Sequence, residues 1–189
     1  MAQGRWYPNG LLNFYNALTS PARPRLSWLT AGGNTIYVAI VGTTGYNPLG
    51  SNYVTDAVLS DITTADSPTP EAVLSSGYFR KPVSTIDPTI VTDTTPAGHH
   101  LELGASADVV YTVMTGGSFT GYWAAFYRDA NSPSGEYLPN GANNTLDNQS
   151  PVIGFMPVVD VDGNHTWTGP NTLVLPITLG VFSIITDPP

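Results

Sequence analysis

The chain has 189 residues, of which 41% are hydrophobic but only 11% are charged, whereas ordinary globular proteins have about 25% charged residues. This length makes one domain with a substantial core the default expectation. The absence of cysteine excludes disulfide bonds, a thiol nucleophile and cysteine-based metal sites. The 19 glycines and 17 prolines imply many turns and, with so few charges, favour short strands over helices.

The net charge of −8 is unevenly distributed along the chain. All 14 acidic residues lie at Asp56 or later, so the first 55 residues carry +3 and the remainder carries −11. A basic segment on an acidic body predicts that the segment docks on an acidic surface. Nucleic acid is not an expected partner, because the chain has no basic stripe and Lys81 is its only lysine.

No segment has the composition of a membrane span or of a signal peptide. The apolar runs are shorter than the roughly 18 residues that a membrane-spanning helix requires. The first ten residues (MAQGRWYPNG) lack the apolar core of a signal peptide. We therefore expect a soluble protein that is made in a cytosol and does not enter a membrane.

Residues 1–33 are predicted to form an N-terminal arm that contains a short helix. Asn9 is expected to cap the helix, which has an apolar stripe and ends at Pro21. Arginines stand beside large aromatic residues in this arm, a combination typical of interface hot spots. The predicted partner-binding residues are Arg5, Trp6, Tyr7, Phe14, Arg23, Arg25 and Trp28. The alternative is that the arm folds back on its own body.

Residues 34–189 are predicted to form a single domain of short strands. Residues 35–41 (TIYVAIV) form a continuous apolar, β-branched run that is typical of a buried strand. Residues 55–61 and 70–75 each predict one or two helical turns. The body therefore begins with a buried strand and short helical segments.

The middle of the chain contains both regular and irregular patterns. Residues 77–83 predict a strand that Pro82 places at the edge of a sheet. Residues 86–100 contain two prolines and four threonines, which predict a long loop or an irregular edge. Residues 101–103 and 107–114 predict strands, the second with one clean apolar face.

Residues 118–129 (SFTGYWAAFYRD) are predicted to form the central strand of the fold. Both alternating sets of side chains are apolar: Tyr122, Ala124 and Phe126 on one face, and Trp123, Ala125 and Tyr127 on the other. A strand that is covered on one face only alternates apolar with polar residues, so this pattern predicts burial on both faces.

The last third of the chain predicts further strands separated by turns. Residues 132–151 are polar and predict a mobile surface loop. Residues 152–161 predict a strand that returns as residues 165–168, since Asp-Gly at 162–163 is a strong hairpin signal. Residues 173–185 predict a closing strand with kinks at Pro176 and Gly180. Together these patterns predict an all-β protein, an antiparallel β-sandwich or barrel-like fold.

The sequence contains no motif that predicts catalysis or cofactor binding. Residues 160–164 resemble the start of a calcium loop, but His165 and Asn171 stand where that loop requires glycine and a carboxylate. His99 and His100 are adjacent, so in a strand they face opposite ways and do not chelate one ion. The chain has no serine-hydrolase or phosphate-binding motif, and no pair of acids stands out. We predict no catalytic residue, no metal and no cofactor.

An ordered series of apolar segments in the chain is similar to a group of small tailed-phage virion proteins. The segments are NTIYVAIVG, YVTDAVLSDI, GYFRKPV, ASADVVYTV, YWAAFYRDA, VIGFMPVVD and LVLPITLGVFSI, spanning residues 34–185. They resemble the "IKVALV", "SDV", "GY-R", "YAVIYDD", "LIGYID" and "G-F-I" segments of that group. The chain departs from the group in YRDA, which replaces YDD, and in longer loops at residues 68–71 and 132–150.

The resemblance implies a capsid decoration (cement) protein on the outer surface of the virion, made in the host cytoplasm. Its expected partners are the major capsid protein and further copies of itself, as a dimer or trimer on the shell. It implies a structural role and no enzymatic activity. Deletion of residues 1–33 is then expected to leave the body folded and to abolish shell binding.

The sequence leaves other functions open. A tail or fibre-adaptor subunit would share this composition and fold but would be present in a few copies per particle. A carbohydrate-binding module would stack sugars on exposed tryptophans among Trp6, Trp28, Trp123 and Trp167. A glycan-cleaving enzyme would require a cleft with perturbed carboxylates.

Overall fold

The fold is described from a computed structural model. It covers residues 5–10, 36–41, 56–64, 71, 78–83, 86–94, 97–113, 116–128, 150–158, 166–179 and 182–185. Only the backbone is described for residues 64, 86–94, 97–104, 119, 128, 179 and 182–185.

The described residues form twelve strands and one α-helix that lies wholly within them, and residues 8–10 are also helical. The strands are β1 (Arg5–Trp6), β2 (Ile36–Val41), β3 (Lys81–Pro82), β4 (Ile86–Thr94), β5 (Ala97–Ala105), β6 (Val109–Thr112), β7 (Ser118–Thr120), β8 (Trp123–Arg128), β9 (Val152–Pro157), β10 (Thr166–Thr168), β11 (Thr172–Leu175) and β12 (Phe182–Ile185). Helix α1 spans Leu59–Thr64, and a short 3₁₀ helix spans Ile177–Leu179. The described chain is therefore mostly strand with few helices, as the all-β prediction requires.

A five-stranded antiparallel sheet with the order β1-β9-β8-β2-β3 lies at the centre of the fold. Strands β2 and β8 pair along six residues, from Ile36 opposite Arg128 to Val41 opposite Trp123. Every residue of β2 is buried, which confirms residues 36–41 of the predicted strand at residues 35–41. Strand β3 is the edge strand beyond β2, and this confirms the edge position that Pro82 predicts.

Strand β8 is the middle strand of this sheet and is buried on both faces. Ala124 and Phe126 belong to the core on one face, whereas Ala125 and Tyr127 belong to the core on the other. This confirms the central strand that the sequence predicts, but the strand is shorter than residues 118–129. It begins at Trp123, and residues 118–120 form the separate strand β7, which pairs with β10. Between the two strands, Gly121 lies so close to the Ile40 side chain that a Cβ there would collide with it.

Two apolar clusters cover the two faces of the five-stranded sheet. On one face, residues of β2, β8 and β9 pack with inward-facing residues of β6, β10 and β11, including Tyr111, Trp167 and Leu173. On the other face, the sheet packs against Leu59 and Ile62 of α1, both fully buried. The large apolar content of the sequence is thus used on both sides of one sheet.

The strands opposite the first face form one long antiparallel ribbon, which we define as β6 and β7 paired with β11 and β10. Thr112 lies opposite Thr172, and Ser118 lies opposite Thr168. The chain therefore advances six residue positions in the connection from β6 to β7, whereas it advances four in the connection from β10 to β11. The additional residues lie around Gly116, which adopts a φ of 82°, a conformation that favours glycine. The pairing of β10 with β7 corrects the predicted hairpin between residues 152–161 and 165–168.

Residues 86–94 and 97–100 are regular strand, which corrects the predicted loop, whereas the alternative of an edge agrees with the position of β4. Strands β4 and β5 pair along nine residues, and β12 pairs with the other side of β5. Pro88 of β4 lies opposite Leu103 of β5. Strand β4 is an edge strand of this three-stranded sheet. Proline is tolerated at an edge, because its missing N–H is not required there for pairing.

Two predicted segments differ in part from the structure. Helix α1 begins at Leu59, later than the predicted helical residues 55–61, and the Asp61 carboxylate accepts hydrogen bonds from the Ala57 and Val58 amides at 2.9 and 3.0 Å. Of the predicted loop at 132–151, Ser150 is fully buried and its carbonyl accepts a hydrogen bond from the Leu59 amide. Residues 132–149, the turn at 162–163 and Gly180 lie outside the described residues.

Candidate functional site

The first three predicted partner-binding residues lie at the edge of the five-stranded sheet. Arg5 pairs with Phe155 and Trp6 with Gly154 of β9, so both belong to an edge strand. Arg5 is exposed, whereas Trp6 is half-buried and packs against the first apolar cluster. Residues 5–10 therefore lie against the body, as the alternative of a folded-back arm predicts.

Tyr7, which the sequence predicts as a partner-binding residue, is a core residue of the fold. Its side chain is fully buried, and its ring packs edge-on against Phe155 with 5.1 Å between centroids. Its amide donates a hydrogen bond to the Ile153 carbonyl at 3.1 Å. The pairing of β8 with β9 shifts register at this point, and Gly10 lies so close to the Ile153 backbone that a side chain would collide with it.

The chain becomes helical directly after Tyr7. Residues 8–10 are helical, so Pro8 precedes Asn9 in the helix and Asn9 is not its cap. Proline is favoured in the first turn of a helix, where its missing N–H has no partner. The Asn9 side chain instead donates to the Asp56 carbonyl at 3.1 Å. Phe14, Arg23, Arg25 and Trp28 lie outside the described residues.

The outer face of the ribbon is the candidate functional surface, and we call it the ribbon face. Its side chains alternate with the buried ones and are mostly exposed: Val110 and Val174 are 41% and 46% exposed. Its residues are the cross-strand pairs Val110–Val174, Thr112–Thr172, Ser118–Thr168 and Thr120–Thr166. None of these eight residues is charged.

The composition of the ribbon face suits contact with another surface. An interface over these residues buries no charge, so it avoids the largest desolvation cost. Valine and threonine have restricted χ1 angles, so less side-chain entropy is lost on docking. The hydroxyls supply hydrogen bonds, and the Thr120 and Thr166 hydroxyl oxygens already lie 2.9 Å apart. The residue types offer no acid–base or nucleophilic group for catalysis beyond simple hydroxyls.

A buried polar cluster, which we call the edge cluster (Glu71, Tyr78 and Arg80), lies beside β2. Arg80 donates two hydrogen bonds to the Glu71 carboxylate, from Nε and from one terminal nitrogen, each at 2.6 Å. The Tyr78 hydroxyl donates to Glu71 at 3.0 Å and accepts a hydrogen bond from the Ile40 amide at 2.8 Å. Glu71 also forms an isolated bridge with Val41. The cluster therefore lies along the same edge of β2 as β3, beyond the two residues of β2 that pair with β3.

The sequence did not predict the edge cluster. Glu71 and Arg80 are nine residues apart and fall in segments that were predicted as a helix and an edge strand. Arg80 is 3% exposed and its guanidinium lies 5.6 Å from the centre of the Tyr127 ring. The sequence signal for this cluster is Arg80 itself, an arginine within a predicted strand. A buried cation needs a charged or polar partner, so such an arginine indicates an ion pair.

Burial raises the pKa of two tyrosines near the edge cluster. The pKa of Tyr78 lies well above its ordinary value, chiefly because of desolvation and further because of the Glu71 carboxylate and Tyr111, while Arg80 lowers it. The pKa of Tyr111 is raised in the same direction by desolvation, then by Tyr127 and Glu71. The two rings are stacked, with centroids 5.8 Å apart, and the Tyr111 hydroxyl donates to the Val38 carbonyl. Both hydroxyls are therefore held protonated in the fold.

We expect these two tyrosines to make the protein unstable at alkaline pH. A tyrosine whose pKa in the folded protein lies above the unfolded value of about 10 stabilises the fold fully at pH values below about 10. This stabilisation is lost as the pH rises from there towards the pKa of the folded state. Urea titrations at several pH values above 9 should show a falling midpoint, and Tyr111→Phe should reduce the slope. A Val174→Ala control, at an exposed residue that does not titrate, should leave the slope unchanged. Equal slopes for the wild type and Tyr111→Phe would contradict the expectation.

The tryptophans give little support to sugar stacking. Trp167 is 5% exposed, and Trp123 packs edge-on against Phe155 with 5.5 Å between centroids. Trp6 is half-buried against the core, and Trp28 lies outside the described residues. An aromatic platform needs an exposed ring face, so the three described tryptophans are poorly placed for this function.

The part of the chain that the structure describes holds neither a metal-binding cluster nor a membrane-spanning helix. These residues contain no group of three or more histidine, aspartate and glutamate side chains that could hold a metal ion. No helix among them is long and apolar enough to cross a membrane. Comparisons with protein-family models, with curated proteins and with solved structures find no match for the chain.

Proposed function

We propose that the protein is a structural component of a tailed-phage particle, a capsid decoration protein that binds the outer surface of the major capsid protein lattice. The observation that carries the proposal is the ribbon face, an exposed sheet surface of eight uncharged residues. Such a surface suits lasting contact with a partner better than exposure on a free monomer. The small charged fraction of the whole chain supports the same role.

We also propose that the body is a β-sandwich. The first apolar cluster joins residues of the five-stranded sheet to the inner residues of the ribbon, which supports packing of two strand layers on one core. In this arrangement the ribbon face is the outer surface of one layer. This outer surface would rest on the shell, and the basic N-terminal region would add contacts to acidic groups nearby.

The proposal predicts that one charge on the ribbon face weakens shell binding. Val174→Glu places a carboxylate in the contact, which costs its desolvation, so we expect binding to shells that lack this chain to fall at least tenfold, or about 1.4 kcal/mol. Co-sedimentation with such shells, over a range of protein concentrations, measures the change. The control is Ser106→Glu, which adds the same charge at an exposed residue outside the ribbon.

Equal binding by the two variants would remove the ribbon face from the proposed contact. The broader proposal is tested by the number of copies in purified particles, from a quantitative gel and cryo-EM. Hundreds of copies on the shell support decoration. A few copies at one vertex would indicate a tail or fibre-adaptor subunit instead, and absence from particles would overturn a virion role.

A further inference from the structure

We infer that Lys81, with the aromatic rings of Phe79 and Tyr111, forms a binding site for a carboxylate side chain of a protein partner. We call these three residues the lysine site. Lys81 belongs to β3 and Tyr111 to β6, so the site lies where the edge of the five-stranded sheet meets the ribbon. The inference goes beyond the proposed function, because it names a separate site and the chemical group that binds there, whichever protein supplies that group.

The Lys81 ammonium lies over two aromatic rings. Its Nζ atom is 4.7 Å from the centre of the Phe79 ring and 5.4 Å from that of Tyr111, and an aromatic ring attracts a cation within about 6 Å. The backbone of Lys81 pairs with Val38. The Tyr111 ring is fixed by stacking on Tyr78 and by the hydrogen bond from its hydroxyl to the Val38 carbonyl. The cation is thus positioned in advance, which reduces the entropy lost on binding.

Among the side chains that the structure describes, no carboxylate lies within ion-pair distance of Lys81. The neighbouring Arg80, by contrast, is paired with Glu71. Lys81 is half-buried, and desolvation lowers its pKa. A cation that has lost part of its water and has no opposite charge beside it gains more from an incoming carboxylate than a fully hydrated lysine does. The site therefore lacks the one group that a partner can supply.

The surroundings favour a protein carboxylate over other anions. Phosphate carries more charge, which the net charge of −8 repels, and phosphate sites usually supply several cations or backbone amides rather than one lysine. Phe79 is 44% exposed, so an apolar neighbour of the carboxylate would cover its ring and add to the affinity. A small free anion such as acetate has no such neighbour. The lysine site thus suits an aspartate or glutamate side chain beside an apolar residue.

The test uses the fact that Lys81 is the only lysine, so the full chain grown with ¹³C-labelled lysine has one labelled side chain. The probe is the capped dipeptide N-acetyl-Glu-Leu-amide, and its binding is followed by the NMR signal of the Lys81 ε-carbon. N-acetyl-Gln-Leu-amide is the matched control, since it has nearly the same shape and no charge. We expect a saturable shift with the glutamate peptide at millimolar concentrations, and about tenfold weaker binding of the control.

Arg5→Lys adds an exposed reference lysine to the same chain, and its signal should shift far less than that of Lys81. Equal shifts of the two lysines, or equal binding of the two peptides, would overturn the inference. Phe79→Ala should weaken binding about threefold, as expected for loss of a partly exposed cation–π contact. A stronger response to inorganic phosphate would overturn the choice of a carboxylate, and an equally strong response to acetate would overturn the choice of a protein side chain. No shell is involved, so failure here is separate from failure of the decoration role.

Discussion

Replacement of Arg80 by alanine is expected to lower the free energy of unfolding by about 3–5 kcal/mol. The Glu71 carboxylate, 14% exposed, would be left without the two hydrogen bonds that Arg80 donates. Removal of one partner from a buried ion pair is costly, because the remaining charge stays desolvated. Urea unfolding followed by tryptophan fluorescence measures the change.

The matched control for this substitution is Arg5→Ala, at an arginine that is exposed on β1. We expect it to change the free energy of unfolding by less than about 1 kcal/mol, as for other surface charges. Combined replacement of Arg80 and Glu71 should cost less than the sum of the single changes, because no unpaired charge remains. A cost for Arg80→Ala as small as that of the control would contradict a structural role for the edge cluster.

Replacement of Tyr7 by alanine is expected to lower the free energy of unfolding by about 3–5 kcal/mol, the range for large aromatic side chains in cores. The side chain is fully buried and contacts Phe155 on the face of the sheet that α1 also covers. Its removal leaves a cavity that the rigid sheet cannot close. Urea unfolding at one fixed protein concentration measures the change.

Tyr122→Ala is the control for Tyr7→Ala, since Tyr122 is 36% exposed and lies outside the strands. We expect a cost of about 1 kcal/mol or less for the control. Equal costs for the two tyrosines would show that Tyr7 is not an anchor of the fold.

The position of Tyr7 also changes how a truncation must be interpreted. Deletion of residues 1–33 was expected to leave the body folded, but it would remove β1 and a fully buried side chain. Loss of shell binding by such a deletion would then follow from instability as readily as from loss of a contact. Arg23→Ser and Arg25→Ser in the full chain are better probes of the predicted basic contact, because they leave residues 5–10 intact.

The sequence by itself determined which strands carry the core. The apolar run of β2, the two apolar faces of β8 and the alternation of Val109, Tyr111 and Val113 all correspond to the observed burial. Side chains of a strand point alternately to its two faces, so the local pattern reports how each face is covered. Pro82 likewise marked an edge, because proline cannot complete the pairing of an inner strand.

Only the tertiary structure decided which strands pair and where Tyr7, Glu71 and Arg80 lie. Strand β10 pairs with β7, over 40 residues earlier, rather than with the strand before it. Residues 86–94 form an edge strand despite Pro88, because all nine residues pair with β5 and an edge strand needs a partner on one side only. Pairing and ion-pair formation depend on contacts between distant segments, and a local pattern records the need for burial but not the partner that provides it.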